Sequence, residues 1–439
     1  MKINLKNLFW AIGLALVCYC ATLSLLVGRF LPGAIRYVIP FVIMGLFLLA
    51  GRLRLKQYVP AYYIPWVAFF LFAAASVLMN KLGHLMAALT MFMCIVLGIL
   101  LMSSTQWLGI GRKVLAWFTG IYIFFTYFFF AFPSSYPIMI DLYGQAPIGT
   151  YNGQKGYQAG LADHYSSNGM YISVFLMLMV VLWLTVGNRS LKEKREKKLC
   201  LLMSILGAVA LLLTTKRGVL LWSLMAILIT YWIVSRRKIQ SLFKLLGVAL
   251  LGYGAVLLLT RFIPEVGAVF ERFETMGEDG ASLERIAMWE LAWKMFQEKP
   301  IFGAGFWAFP KRYASDLFGI YNTDLRYKYS MAAHNVYFQV LCETGIVGFS
   351  VYLAAVGMTL RETLRLVRKY SRDENAELRF AVLFSLCIQI FYLLYSLSGN
   401  CLYDFIFYFY GMAMAMTTAV HYHDIKTLHQ PTLKRNGQG

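Results

Sequence analysis

Residues 199–234 read LCLLMSILGAVALLLTTKRGVLLWSLMAILITYWIV. Two apolar blocks, Leu199–Leu213 and Val219–Val234, flank the pentapeptide Thr214-Thr215-Lys216-Arg217-Gly218. A bilayer core of roughly 30 Å is crossed by about 20 mostly apolar residues in a helix. Backbone facing lipid must satisfy its own hydrogen bonds, which makes helix the natural assignment for both blocks. With almost no connector between them, the chain has to reverse at the pentapeptide.

Outward from this pair the pattern repeats. Twelve apolar spans can be placed, at about 8–28, 34–50, 61–79, 83–102, 114–131, 169–186, 199–215, 218–234, 241–262, 336–359, 379–397 and 402–420. Of 439 residues, 59% are hydrophobic and 14% charged, against about a quarter charged in a soluble domain. The apolar residues come in blocks and do not alternate with polar ones. A soluble enzyme, a disordered chain and a disulfide-stapled secreted domain are therefore excluded. The fold class is an all-α polytopic membrane protein with about twelve transmembrane helices. One transmembrane domain is expected over 1–420, with long loops at 132–168 and 263–335 and a polar tail at 421–439.

The formal charge is +20. In a soluble protein this would point to nucleic acid. Here the cations sit in short connectors, so no nucleic-acid partner is expected. Alternate connectors carry 26 Lys and Arg: at Lys2/Lys6, 52–56, Arg112/Lys113, Arg189–Lys198, 236–244, Arg361–Arg379 and in the tail. The intervening short connectors carry six. This bias puts both termini in the cytoplasm and both long loops outside. The run Leu8–Val27 lacks a small-x-small cleavage site and reads as an uncleaved first helix. The seven cysteines (18, 20, 94, 200, 342, 387 and 401) lie in or beside apolar segments without metal or disulfide spacing.

Four polar constellations could carry chemistry. Lys216 and Arg217 would lie at the outer membrane edge, against the charge trend. They read equally as snorkelling side chains of a tight turn or as anion ligands, Arg being suited to phosphate by its fork of donors. His334 with Asn335, and Tyr337 beyond, open span ten. His334 could be a general base near neutral pH, although a lone His at a helix start is more often a capping or interfacial residue. Pro300-Ile301-Phe302-Gly303-Ala304-Gly305 lacks the Gly-Lys-Ser/Thr of a phosphate loop and reads better as a structural turn. His164-Tyr165-Ser166-Ser167-Asn168-Gly169 reads as a polar helix start. Within the second long loop, Ile286, Trp289, Trp293 and Phe296 repeat at helical spacing, with Ser282 as N-cap and Pro300 as stop. This is read as an amphipathic helix on the outer leaflet or on the bundle. No carboxylate pair stands out on the outer side, which speaks against metal-dependent sugar transfer.

Together these segments resemble the O-antigen ligase and polymerase family of bacterial membrane glycosyltransferases. The resemblance rests on Thr214–Gly218, Arg285 with Trp289, Pro300–Gly305, His334-Asn335-x-Tyr337 and Glu343-x-Gly345-Ile346-x-Gly348, in that order over about 205–350. Lys216 departs from the Ser usual in the family. The resemblance implies a C-type glycosyltransferase-like fold in the bacterial cytoplasmic membrane, with the active site facing outward. The implied donor is a glycan on undecaprenyl diphosphate, and the acceptor a hydroxyl of a glycan, a lipid or a protein. Transfer would invert the anomeric centre, without metal or cofactor. Arg217 and Arg285 would bind the diphosphate, and His334 would take or orient the acceptor proton. Lys216, Asn335, Asn168 and Tyr337 are candidate substrate contacts, and membrane lipid is a further partner. The alternative is a lipid-linked oligosaccharide flippase or other polysaccharide transporter. It ranks second because the candidate charges crowd the outer edge, whereas transporters usually carry ionisable groups near the midplane.

Overall fold

The computed structural model describes residues 4–22, 35–51, 59–79, 85–102, 104–143, 157–188, 190–263, 280–319, 331–404 and 406–428. The basic cluster at 52–56, the Gly/Tyr/Asn-rich part of the first long loop, the stretches 264–279 and 320–330 and the end of the tail lie outside the described residues.

Among the described residues the secondary structure is helical. The first group is α1 Leu5–Thr22, α2 Ile35–Gly51, α3 Tyr63–Met79, α4 Leu85–Leu101 and α5 Trp107–Ala131. A 3-10 turn at Pro133–Ser135 and α6 Pro137–Tyr143 follow. Next come α7 Tyr165–Thr185, α8 Leu191–Leu213, α9 Arg217–Val234 and α10 Lys238–Thr260. The remainder are α11 Gly280–Glu298, α12 Phe309–Phe318, α13 Val336–Tyr370, α14 Ala376–Tyr395 and α15 Phe407–Leu428. A helix overlies each of the twelve apolar stretches. Six of the helices (α1, α5, α7, α9, α13 and α14) are long and apolar enough to cross a membrane.

Helices α7 and α14 form the interior, and they pack on each other and, respectively, on α5 and α8 and on α9, α13 and α15. They are buried nearly all round, which a helix achieves only when apolar on every face. The surrounding helices turn large apolar residues outward, including Leu78, Trp117, Phe124 and Leu251. Such a belt would drive aggregation in water but matches hydrocarbon.

Several helices run past their apolar spans. α8 starts at Leu191 because Ser190 and Glu193 close a capping box, the Glu193 amide donating to Ser190 Oγ at 3.1 Å and the Ser190 amide to Glu193 Oε2 at 3.0 Å. α13 extends to Tyr370, and α15 to Leu428, so residues 421–428, expected as polar tail, are helical. The two extensions are tied together by charge. Asp424, almost fully buried, accepts from Arg365 at 2.9 Å, from Tyr370 at 2.7 Å and from Lys369, and His421 Nδ1 lies 2.6 Å from Glu362.

The helix expected in the second long loop is present as α11, and of the expected stripe Trp289 and Phe296 pack inward. Met288, Leu291, Ala292 and Met295 are buried against α12 and α13, while Ile286 and Trp293 are 47% and 46% exposed. The apolar stripe runs round much of the helix, and the slimmer side chains fill the interhelical seam. Trp289 sits at its edge, where its indole N–H reaches the Ala333 carbonyl at 3.1 Å. Ser282 falls inside the helix, which begins at Gly280.

Candidate functional site

Two motifs that are separate in the sequence are halves of one device. α13 breaks at Gly345 (φ 64°, ψ −172°), which frees carbonyls and amides from the helical ladder. The turn Pro300–Gly305 enters the break. Ala304 and Gly305 donate to the carbonyls of Cys342 and Glu343 at 3.0 and 2.9 Å. Ile346 donates to Pro300 O at 2.8 Å. The buried Glu343 carboxylate then accepts from the Trp307 and Phe309 amides at 2.9 and 3.1 Å, Gln339 Nε2 at 3.0 Å and Tyr403 OH at 2.8 Å. Gln339 in turn accepts the Ala333 amide at 2.9 Å. A continuous network thus runs from the Gly turn to the residue before His334.

His334 adopts φ 52°, an uncommon conformation for a non-glycine residue. It is held from both sides. Ala333 is fixed through Gln339 and Trp289, and Val336 N–H donates to Ser396 O at 2.9 Å. Asn335 is the N-cap of α13, its Oδ1 accepting from the Tyr337 and Phe338 amides at 3.0 and 3.1 Å. Tyr337 OH donates to Leu393 O at 2.8 Å. His334 Nδ1 lies 3.3 Å from Asn400 Nδ2 in the turn between α14 and α15.

The pentapeptide between α8 and α9 forms the tight reversal. Thr215 takes φ 52°, and α9 starts at Arg217. Gly169 of α7 lets the turn approach: a Cβ there would lie 3.2 Å from Thr214 Oγ1 and 3.5 Å from Lys216 Cβ. On the other flank a Cβ on Gly218 would lie 3.3 Å from Ser398 Oγ, which also accepts from Trp222 Nε1 at 2.8 Å. Asn168 is fully buried and donates to Thr126 Oγ1 at 2.9 Å and Gln158 O at 2.8 Å. Gln158 N–H reaches Leu213 O at 3.1 Å, tying this wall to the turn. Asn168, Asn335 and Tyr337 thus shape the site through bonds within the fold.

The electrostatics show which charges converge. Burial pushes His334 down to about 3, helped by the charges of Lys216, then Arg285, then His164. His164 is pushed down to about 4 by burial and by Lys216. Asp404 is pushed up to about 7 by burial and by Asp163, an effect that Lys216 opposes. Lys216 therefore acts on all three. Its ammonium lies 5.7 Å from the centre of the Tyr165 ring, which stacks on His164 at 4.4 Å. Arg217, given the larger share in the sequence reading, heads α9 half-buried, with Nη1 withdrawn from the surface.

The sequence reading passed over Asn400, Asp404 and Asp163. Asp163 and Asp404 lie far apart in the chain, and only the fold makes them neighbours. The signal available is the scatter of Ser396, Ser398, Asn400 and Asp404 around a connector where the charge trend predicts an outer turn. The apolar pattern starts span twelve at about 402, whereas the helix starts at Phe407.

The arrangement pairs a neutral, half-buried imidazole with the charges of two cations and with nearby carboxyls. It can bind an anion next to a proton-accepting group. Residues 199–353 match the family model described as O-antigen ligase. The matched segment carries the reversal turn, Arg285, the 300–305 turn, His334, and Glu343 through Gly348, and the resemblance to that family holds over it. No curated protein matches the chain. Over this part of the chain the match points to a polysaccharide-related, glycosyltransferase-like membrane function.

Proposed function

We propose that this protein transfers a glycan from undecaprenyl diphosphate to an acceptor hydroxyl at the outer face of the bacterial cytoplasmic membrane, as an inverting, metal-independent ligase or polymerase of surface polysaccharide. The carrying observation is the fixing of His334 at φ 52° between the Ala333 and Val336 hydrogen bonds, 3.3 Å from Asn400, where the charges of Lys216 and Arg285 act on its imidazole. The reading includes twelve membrane crossings with both termini in the cytoplasm, supported by the sustained asymmetry of Lys and Arg.

The leaving group is a diphosphate, so negative charge grows on its bridging oxygen as the glycosidic bond breaks. Lys216, Arg285 and Arg217 stabilise that charge without protonating it. One such contact is worth about 3–4 kcal/mol. His334 receives the proton of the attacking hydroxyl, a contribution of roughly 10²–10⁴ in rate.

The same cations make the base conditional. While the site is empty, they and burial hold His334 far below neutrality. A bound diphosphate offsets their charge and raises the basicity of the imidazole. His334 becomes an effective base when the donor is in place, which limits wasteful proton uptake.

Asn400 selects the ring nitrogen that does this. With its Nδ2 towards Nδ1, the neutral imidazole keeps its proton on Nε2. Turning the amide by half a rotation sets Oδ1, buried and without a hydrogen-bond partner among the described residues, against Nδ1–H and leaves Nε2 bare. The second arrangement is the productive one.

The test is incubation of the purified protein in detergent with a lipid-linked glycan and candidate acceptors. Release of undecaprenyl diphosphate with formation of a new glycosidic bond supports the proposal. Donor binding without any transfer, combined with donor movement across reconstituted vesicles, would replace it with transport.

A further inference from the structure

At the opposite end of α15 from His334 lies a second polar cavity, of about 300 Å³. From Phe407 to Lys426 the helix rises about 28 Å, so the two places are at opposite ends of the bundle. The cavity is bounded by Lys6 of α1, by Ser104, Thr105 and Gln106 before α5, and by Tyr422, His423 and Lys426 of α15, with Met102 and Ala419 also in its wall. Among the described residues, two ammonium groups and an imidazole line it and no carboxylate does.

The amino end of α5 borders the cavity; its Leu108 amide is taken by Thr105 O at 3.1 Å, and the Glu377 carboxylate lies beside Gly109 in its first turn. No side chain caps this end, and its first turn contains no acidic residue. Ser104 Oγ accepts the Gln106 amide at 3.1 Å. Asp424, the nearest acid on α15 in sequence, is taken up by Arg365, Lys369 and Tyr370 of α13. Lys426 lies 5.1 Å from the centre of the Tyr422 ring.

We propose that this cavity is a phosphate-binding site, taking either the headgroup phosphate of an anionic lipid or a soluble phosphate. Two lysines from different helices, the His423 ring and the Ser104 and Thr105 hydroxyls supply the donors that a phosphate accepts. Lys6, Met102 and Lys426 all lie at helix ends, the level at which lipid headgroups meet a membrane protein. The site is separate from the proposed glycan-transfer site and does not depend on it.

The test uses the full-length protein in uncharged detergent, with thermal unfolding followed by tryptophan fluorescence. The probes are phosphatidylglycerol, inorganic phosphate and, as a reference, uncharged diacylglycerol. One of the two phosphate probes should raise the melting temperature of the wild type. In Lys6→Gln/Lys426→Gln its half-saturating concentration should rise at least tenfold. Lys192→Gln/Lys194→Gln, which removes two exposed cations outside the cavity, should respond like the wild type. A response to phosphatidylglycerol alone identifies a lipid site, and a response to inorganic phosphate identifies a soluble ligand. No stabilisation by either probe, or equal loss in both double variants, overturns the proposal. If the Lys6→Gln/Lys426→Gln protein does not fold, Lys426→Gln alone carries the test, because Lys426 is exposed.

Discussion

Gly303 and Gly345 each press against the backbone next to the other. A Cβ on Gly303 would lie 2.3 Å from the backbone of Glu343, and one on Gly345 would lie 2.3 Å from the Ile301 carbonyl oxygen. Both take positive φ, 72° and 64°. The 300–305 turn and the break in α13 therefore exist together or not at all. Because Glu343 and Gln339 relay this contact to Ala333, the pair sets where His334 stands.

Gly345→Ala should accordingly lower stability by roughly 3 kcal/mol, since strain at positive φ alone costs of order 1–3 kcal/mol and backbone contacts at 2.3 Å cannot be relieved by a rotamer change. Gly357→Ala, in the same helix with open space around its Cβ, should be neutral or slightly stabilising. Thermal unfolding in detergent checks both. Equal melting temperatures for the two variants would refute the interlock.

Arg217→Lys tests the fork of donors. Charge is kept, while the planar bidentate geometry is lost. Transfer should fall about tenfold to a thousandfold at unchanged protein level, the scale of losing one transition-state contact. Near-normal transfer would show that Arg217 supplies charge at most. Loss of the protein itself would favour a role in the turn.

How far the site was legible follows from where its residues lie. Thr214–Gly218 and His334-Asn335 were visible because polar residues interrupt apolar runs, and the runs predict helices that the structure contains. Asn400 was not visible, since its relation to His334 spans 66 residues and no local period encodes it. The inward face of α11 is only half encoded by its stripe, for a related reason. Periodicity gives the phase of a stripe, but Met288 and Met295 outcompete Ile286 and Trp293 only once α12 and α13 define the seam. Glu343 was seen as part of a motif, yet its four donors come from segments 300–309, 339 and 403, which only folding assembles.

Asn400→Ala should lower transfer roughly tenfold to a hundredfold, the scale on which a group orienting a functional His contributes. Donor binding and melting temperature should stay near wild type, because the Asn400 side chain touches His334 from a turn. Asn400→Asp should fall less, since its carboxylate still accepts from Nδ1–H. Identical turnover in Ala and Asp variants would remove Asn400 from tautomer control.

Asp404 gives a stability signature. Its folded value, about 7, lies above the unfolded value of a carboxyl. The folded state thus holds the proton more tightly, and the contribution is fully present below about pH 4 and lost as pH rises through about 7. The wild type should melt at lower temperature at pH 8.5 than at pH 5.5. Asp404→Asn, which stays neutral, should flatten that difference. An unchanged pH slope would show that the carboxyl is already ionised in the fold.

The last prediction joins Lys216 to His334. Burial and three cationic or titrating neighbours push the imidazole down to about 3, so it is neutral at every pH at which the membrane protein is handled. Removing a cation favours the imidazolium, so Lys216→Met should raise the His334 value, and Arg285→Met should raise it less. Titration of ¹⁵N-labelled His by NMR reads this directly. In kinetics, kcat/KM reports the free enzyme and should show no His334 limb above about pH 4. kcat reports the donor complex and should gain an ascending limb at higher pH, because the diphosphate raises the same value. His334→Gln should bind donor normally and lose roughly 10²–10⁴ in transfer, since an amide orients a hydroxyl but cannot take its proton. Gln turning over near the wild-type rate would make His334 an orienting group. A kcat profile superimposable on that of kcat/KM would show that the bound diphosphate does not tune it.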